Sequence, residues 1–329
     1  MGYVLVLFNW IIYIVEMSRL ISRGIRAIFN HFFGVFRPPP PKDVKDRVVV
    51  VAGAASGLGS EISHRFARLG AQVIMLDIDE HANLQAANEL RRMGNNKVFS
   101  FPCDVSVESQ VNAVAAKILK FFGKVDILVN NATRCEPHSA SPLIQSPSES
   151  IQKTLFVNLL SHFWMTRAFL PSMIEKKSGH IVAISSLSGL MGTSKYSSFC
   201  ASQHGVMGAM SAMASELEDY PGIYVSTACP VVEGPSVVES ALPPAVRKFL
   251  DLELPSQRET ASLIVDAVLR NREFVIIPRG FTILRWIDQL LPQKLSKFAQ
   301  EAFMKENSGT PTPLFQGSTL RMTNGNSCH

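Results

Sequence analysis

Arg47–Gly59 reads RVVVVAGAASGLG. Its four consecutive valines suit a strand buried on both faces. Gly53, Ser56, Gly57, Leu58 and Gly59 follow, and Leu58–Leu69 then carries a helical apolar pattern. Strand, glycine-rich turn and helix together let backbone approach a pyrophosphate. The helix N-terminus supplies free N–H groups and a favourable dipole. The spacing is GxxxGxG rather than GxGxxG, and no Gly-Lys-Ser/Thr follows, which excludes a P-loop. Such a turn is weak evidence alone. The next strand, however, Gln72–Leu76, runs into Asp77, 18 residues past Gly59. A carboxylate there can accept hydrogen bonds from adenosine ribose hydroxyls and would repel a 2′-phosphate. NAD(H) is therefore favoured over NADP(H). Asp79 points elsewhere if the strand persists.

Outward from this turn, apolar runs alternate with helical patterns. Further strands are predicted at Val98–Phe101, Val125–Val129, His180–Ser185, Ile223–Cys229 and Glu273–Ile277. Helices are predicted at Ala82–Met93, Glu108–Phe122, Ile151–Lys176, Ser197–Glu218 and Thr260–Asn271. Repeated strand–helix units imply an α/β fold: a doubly wound parallel sheet with helices on both faces, in one domain over residues 42–280. No solenoid-type repeat is visible.

The ends differ from this body. Tyr3–Val15 (YVLVLFNWIIYIV) is almost wholly apolar. It lacks the charged leader and small-residue cleavage site of a secretory signal. Its 13 residues fall short of the roughly 20 that a spanning helix needs. A shallow or hairpin-like anchor and a true span both remain open. Arg19, Arg23 and Arg26 follow, and the positive-inside bias puts the rest of the chain on the cytosolic side. Ile25, Ile28, Phe29, Phe32 and Phe33 continue an apolar face that suits an interfacial helix, or one packed on the protein's own core. Pro38–Pro41 stop any helix and act as a stiff spacer. Residues 1–41 thus read as a membrane anchor with a Pro-rich linker. Residues 281–307 form a second apolar-basic segment, which touches membrane, borders a substrate entrance or packs on the core. Residues 308–329, rich in Gly, Ser, Thr, Pro and Asn, predict a disordered tail.

Charge and cysteine usage narrow the function classes. Residues 1–46 carry six basic and three acidic side chains, and residues 278–305 carry five and two, so each flank is +3 of a total +5. Basic charge beside apolar sequence points to an anionic membrane surface. No Lys/Arg cluster is interleaved with aromatics, which argues against nucleic acid. Five cysteines without CxxC or Cys/His ligand spacing fit a reducing compartment and argue against thiol catalysis and a metal site.

GAASGLG, Cys103-Asp104-Val105, Asn130-Asn131-Ala132, Val157-Asn158 and Ile184-Ser185-Ser186 occur in the order found in short-chain dehydrogenases/reductases. From about Lys42 to Leu291 the chain resembles that superfamily. The anchor, the RPPPPKDV lead-in and the CASQHGVMG stretch are similar to a membrane-associated branch, the epidermal retinol dehydrogenases and lipid-droplet hydroxysteroid dehydrogenases. The resemblance implies a Rossmann-like domain at the endoplasmic reticulum membrane or lipid droplet, facing the cytosol. It implies a lipophilic small-molecule substrate, and a homodimer or a heterodimer with a related dehydrogenase. It places Asp104 and Val105 at the adenine ring, Asn131 and Ala132 at the adenosine ribose and sheet centre, and Pro230 at the cofactor. Asn158 would hold the proton-relay water and a helix kink. Ser186, 13 residues before the family's tyrosine position, would bind the substrate oxygen.

Four departures follow. Ala52 replaces a turn-steadying threonine. Thr133 replaces the glycine of NNAG and adds a Cβ beside the nicotinamide. Pro235 replaces a threonine that bonds the carboxamide. Most consequential, the family's tyrosine and lysine positions are Phe199 and Gln203. Phe199 has no exchangeable proton, and Gln203 has no charge to stabilise a phenolate. An impaired, NAD(H)-binding pseudoenzyme is one expectation. An active NAD-dependent oxidoreductase on a lipophilic alcohol or ketone, with Tyr196, water or another group as substitute acid/base, is another; Tyr196 shares a helix face with Phe199 if the helix starts early. A third is a structural membrane protein with a vestigial pocket. His204 reads as a surface histidine, and His162 and His180 as structural.

Overall fold

In a computed structural model of the 329-residue chain, residues 2–36, 39–134, 142–190, 192, 195–231, 254–282 and 285 are described; within the first helix, side chains are described for 9–26. The chain divides into two compact units. One comprises Met1–Val232 with Leu254–Arg279. The other comprises Glu233–Glu253 with Gly280–His329, of which only 280–282 and 285 are described. The disordered tail, most of the 281–307 segment and Pro235 therefore lie outside the described residues.

The first unit holds seven strands: β1 (Val48–Ala52), β2 (Gln72–Asp77), β3 (Val98–Pro102), β4 (Ile127–Asn130), β5 (Gly179–Ile184), β6 (Ile223–Pro230) and β7 (Phe274–Ile277). They form one sheet in the order β3-β2-β1-β4-β5-β6-β7. Every pairing is parallel. The helices are α1 (Gly2–Phe36), α2 (Gly57–Arg68), α3 (Glu80–Arg92), α4 (Glu108–Phe122), α5 (Ser148–Leu155), α6 (Ser161–Glu175), α7 (Ser197–Glu216) and α8 (Gln257–Leu269). The doubly wound expectation holds, and period-2 alternation explains it. Val49 and Val51 of β1 face Ile62 and Phe66 of α2 and Ile264 of α8. Val48, Val50 and Ala52 face the opposite layer, with Val111 of α4, Phe169 of α6 and Val206 of α7.

The predicted continuous helix over Ile151–Lys176 is interrupted. A π turn at Phe156–Leu160 joins α5 to α6. Such turns are typically found at functional sites. It carries Asn158, which is buried. The predicted start of the third helix also moves: α3 begins at Glu80 because Asp79 caps it, accepting from the Ala82 N–H at 2.9 Å.

At the N-terminal edge of the sheet the lead-in is strapped down. Arg270 Nη1 donates to the Pro39 carbonyl at 2.7 Å, and the Lys42 N–H to Leu269 O at 2.8 Å. Lys42 Nζ lies 2.6 Å from His180 Nδ1 and 2.9 Å from Asn271 Oδ1. Ser226 Oγ donates to Arg272 O at 2.6 Å, so it accepts from His180 Nε2 at 2.7 Å. His180 is then the Nε2–H tautomer, and Nδ1 accepts from the lysine. Burial, with Arg47 nearby, pulls Lys42 down to about 8, and it remains a cation at neutral pH.

His162 and His180 are both buried and neutral when folded. Burial pushes His162 down to about 4 from 6.5. Burial, reinforced by Lys42, holds His180 well below its ordinary value. The unfolded chain takes up these protons near pH 6.5 and the folded chain does not, so stability falls as pH drops through 6.5. For His162 the loss continues down to about pH 4. It amounts to about 2 kcal/mol by about pH 5. Urea unfolding at neutral and acidic pH should show this decline, and His162→Asn should remove the His162 share and leave that of His180. A pH-independent midpoint would refute it.

Candidate cofactor and active site

Successive strands are added on one side from β1 to β3 and on the other from β4 onward, so the strand order reverses between β1 and β4. The crevice beyond their carboxyl ends is where doubly wound sheets bind ligands. The turn after β1 and the loop after β4 meet there. Asn131 Nδ2 donates to the Gly53 carbonyl at 2.9 Å. Gly59 passes directly over this bond: a Cβ on Gly59 would lie 1.9 Å from Gly53 O and 2.6 Å from Asn131 Nδ2. Gly53 has φ +71°, and a Cβ on it would lie 2.6 Å from the Ala132 Cα. Glycine is thus required at 53 by both conformation and space, and at 59 by space.

Ser56 is the N-cap of α2, yet its side chain makes no capping hydrogen bond. The leading N–H groups of α2 are therefore not closed by the Ser56 side chain, an arrangement that suits an anionic group. Gly57 holds φ +55°. Leu58 packs on the apolar layer beneath. Asp77 ends β2 beside this turn, with Oδ2 accepting from the Ala55 N–H at 2.9 Å and Oδ1 from the Asp79 N–H at 3.1 Å. Asp104 Oδ1 accepts from Ser106 N and Oγ at 2.9 and 2.6 Å, fixing the turn after β3, and Val105 beside it is buried. Pro230 ends β6, opposite Ile277 of β7. The uncapped helix and the close-packed glycine cradle fit a dinucleotide pyrophosphate.

The second half of the site is built on α7. Phe199 and Gln203 are 4% and 2% exposed. Gln203 Oε1 has no hydrogen-bond partner among the described residues. The backbone between them is tightly held. Ser202 Oγ donates to Phe199 O at 2.7 Å and accepts from Asn158 Nδ2 at 3.2 Å. Ser185 Oγ donates to Gln203 O at 3.3 Å, and a Cβ on Gly189 would come within 2.9 Å of the same carbonyl. Asn158 also grips the loop after β4, accepting from Arg134 N at 2.6 Å and donating to Arg134 O at 3.0 Å. Both of its amide hydrogens are committed to protein. Ser186 is buried, and its Oγ accepts from the Ser188 N–H at 3.2 Å.

Tyr196 is the N-cap of α7, with φ −119° and ψ 33°. The helix begins at Ser197, so Tyr196 does not continue the helical face of Phe199, and the condition for that pairing is not met. Thr133 is exposed on the loop after Ala132. His204 lies on the exposed side of α7, bonded to Cys200 O at 2.9 Å. Burial, with Asp104 beside it, pushes the Cys103 thiol up to about 11, which opposes thiolate chemistry. No group of metal-ligating side chains occurs among the described residues.

Sequence reasoning missed Ser202, Arg134 and Gly189. Ser202 carried a faint signal, since it stands one turn after Phe199 and faces the same interior. The other two had none, because their roles depend on loops meeting across the sheet.

Comparison with known proteins gives consistent matches. Residues 47–241 match the family described as short chain dehydrogenase. Short-chain dehydrogenase/reductase family 16C member 6 of Bos taurus is 32% identical over 280 residues, covering 84% of this chain and 87% of that protein. Epidermal retinol dehydrogenase 2 of Mus musculus is 32% identical, covering 78% and 81%. Retinol dehydrogenase 10 of Homo sapiens is 30% identical, covering 77% and 81%. Among solved structures, a metagenomic short-chain oxidoreductase in complex with NADP is 26% identical, with a TM-score of 0.60 over 72% of this chain and 97% of its own. A short-chain dehydrogenase/reductase from Burkholderia phymatum, in complex with NAD, shares the fold at 22% identity with a TM-score of 0.65, over 83% and 99%.

Proposed function

We propose that this chain, which belongs to the short-chain dehydrogenase family, is a membrane-associated NAD(H)-binding protein of retinol/steroid dehydrogenase type whose own turnover is impaired. One observation carries the reading: the two positions that handle the proton in the family are a buried phenylalanine and a buried, uncharged glutamine. A nicotinamide bound here would supply hydride chemistry toward an alcohol or carbonyl carbon. The Gly53–Gly59 turn and α2 would hold its pyrophosphate, Asp77 the adenosine ribose, and Asp104 and Val105 the adenine. Asn131 and Ala132 would wall the ribose side, and Pro230 closes the far edge. Ser186 can orient a substrate oxygen. Phe199 can neither take nor return the proton, and loss of a positioned acid/base costs about 10²–10⁴ in rate. Without a lysine charge, the cofactor ribose also loses an anchor.

The carboxylate of Asp77 beside the turn supports NAD(H) over NADP(H). The names of the relatives support a lipophilic ligand of retinoid or steroid class. The exposed apolar helix α1 and the positive-inside bias support attachment to the endoplasmic reticulum membrane or lipid droplet, with the domain facing the cytosol. Pairing with a second copy or a related dehydrogenase belongs to the same reading.

Calorimetric titration of the purified protein with NADH and NADPH, followed by a retinoid and steroid turnover screen, tests this. Binding of NADH in preference to NADPH, with no sustained turnover, is expected. Steady oxidation of retinol or a steroid, free of contaminating enzymes, would sink the impairment. Absence of NADH binding would leave only a vestigial pocket.

A further inference from the structure

We infer that α1 lies in the plane of an anionic phospholipid surface, with Arg19, Arg23 and Arg26 reading lipid phosphates, instead of crossing the bilayer. This rests on the membrane association proposed above and specifies its partner. The 35 residues of α1 make a rod roughly 50 Å long. A hydrocarbon core of roughly 30 Å needs only about 20 apolar residues. Among the described residues, no helix is long and apolar enough to cross.

The arrangement around the helix is more telling than its length. At about 100° per residue, Arg19, Arg23 and Arg26 fall within an arc of about 60°. Ser22 and Glu16 flank them, and Val15 and Ile12 are the apolar interruptions on that side among residues 9–26. The opposite side carries Trp10, Tyr13, Ile14, Met17, Ile21 and Ile25. These side chains are not covered by the protein's own body: Trp10, Ile14, Ile21 and Ile25 are 56–63% exposed. Glu16 is the single acid between residues 9 and 26, so the polar face is net cationic.

An apolar face of this width with a basic stripe opposite it suits the headgroup–acyl boundary. The aliphatic stems of the arginines can run along the apolar flank while their guanidinium groups meet phosphate oxygens. A second protein chain would leave the cationic stripe unmatched unless it brought acids. A spanning pose extended from Tyr3–Val15 to the required length would set Glu16 and Arg19 near the lipid boundary.

The test uses the full-length protein in flotation with vesicles of phosphatidylcholine alone and with added phosphatidylserine. Strong binding to the anionic vesicles is expected, weakened by raised salt. The Arg19→Gln/Arg23→Gln/Arg26→Gln variant should bind them about a hundredfold more weakly. A tag at the N-terminus should stay open to protease added outside the vesicles. Equal binding to both vesicle types by both proteins, or a protected tag, would overturn the in-plane assignment while leaving membrane association standing. Failure to float with either vesicle would remove both.

Discussion

Gly59→Ala is expected to abolish NADH binding and to lower stability by about 3 kcal/mol, the upper end for overpacking. The backbone of Gly59 lies within the first turn of α2, where alanine is conformationally welcome. The penalty is therefore wholly spatial. The new methyl would sit 1.9 Å from Gly53 O and 2.6 Å from Asn131 Nδ2. Neither neighbour is the free end of a flexible chain. One is backbone in the turn itself, and the other is held by its bond to that carbonyl. Relief requires separating the turn from the loop after β4, which opens the cradle meant for the pyrophosphate. Gly208→Ala is the control. A methyl there meets nothing within 4 Å on the exposed side of α7, so it should leave binding unchanged and raise stability slightly. Thermal unfolding and NADH titration of the two variants decide the matter. Parent-like affinity and midpoint in Gly59→Ala would refute the cradle.

Phe199→Tyr with Gln203→Lys is expected to raise turnover on a retinoid or steroid alcohol by about 10²–10⁴ over the parent. The two side chains stand one helical turn apart on α7, so an ammonium at 203 can stabilise a phenolate at 199 and bring the phenol below its usual pKa of about 10. The supporting backbone is intact. Asn158 and Ser202 pin the carbonyl of residue 199, and Ser185 bonds the carbonyl of residue 203. The partnerless Gln203 Oε1 is removed by the exchange. Either single variant should recover far less, because groups acting as a unit are strongly non-additive. The buried lysine will cost stability without cofactor, so unfolding should be followed with and without NADH. A folded double variant that binds NADH yet turns nothing over would shift the lesion to Thr133 or Pro235.

Much of this architecture could be read directly from residue order. The valine run of β1, the glycines after it and Asp77 mark a dinucleotide-binding turn in the sequence, and all seven strands lie where the apolar runs predict them. The break in the long helix was legible only through the family resemblance, which implied a kink at Asn158. Phe156–Leu160 has ordinary helix-compatible residues, and the π turn arises where Asn158 is tied simultaneously to Arg134 and Ser202. The place of Tyr196 also needed coordinates, since one residue's difference in where α7 starts decides whether it follows the face of Phe199.

The chemistry lost at positions 199 and 203, the strand–helix alternation and the two-sided character of α1 are all local properties. They depend on side-chain type and on spacings of two to four residues, which the linear chain displays in full. The joint between turn and loop is of another kind. It links Asn131 to Gly53 across 78 residues, as the lead-in socket links Lys42 to His180 across 138. Such bonds exist because the sheet sets β4 beside β1 and brings the starts of β5, β6 and β7 together at one edge. Their partners are chosen by strand order, and no periodicity along the chain encodes that choice.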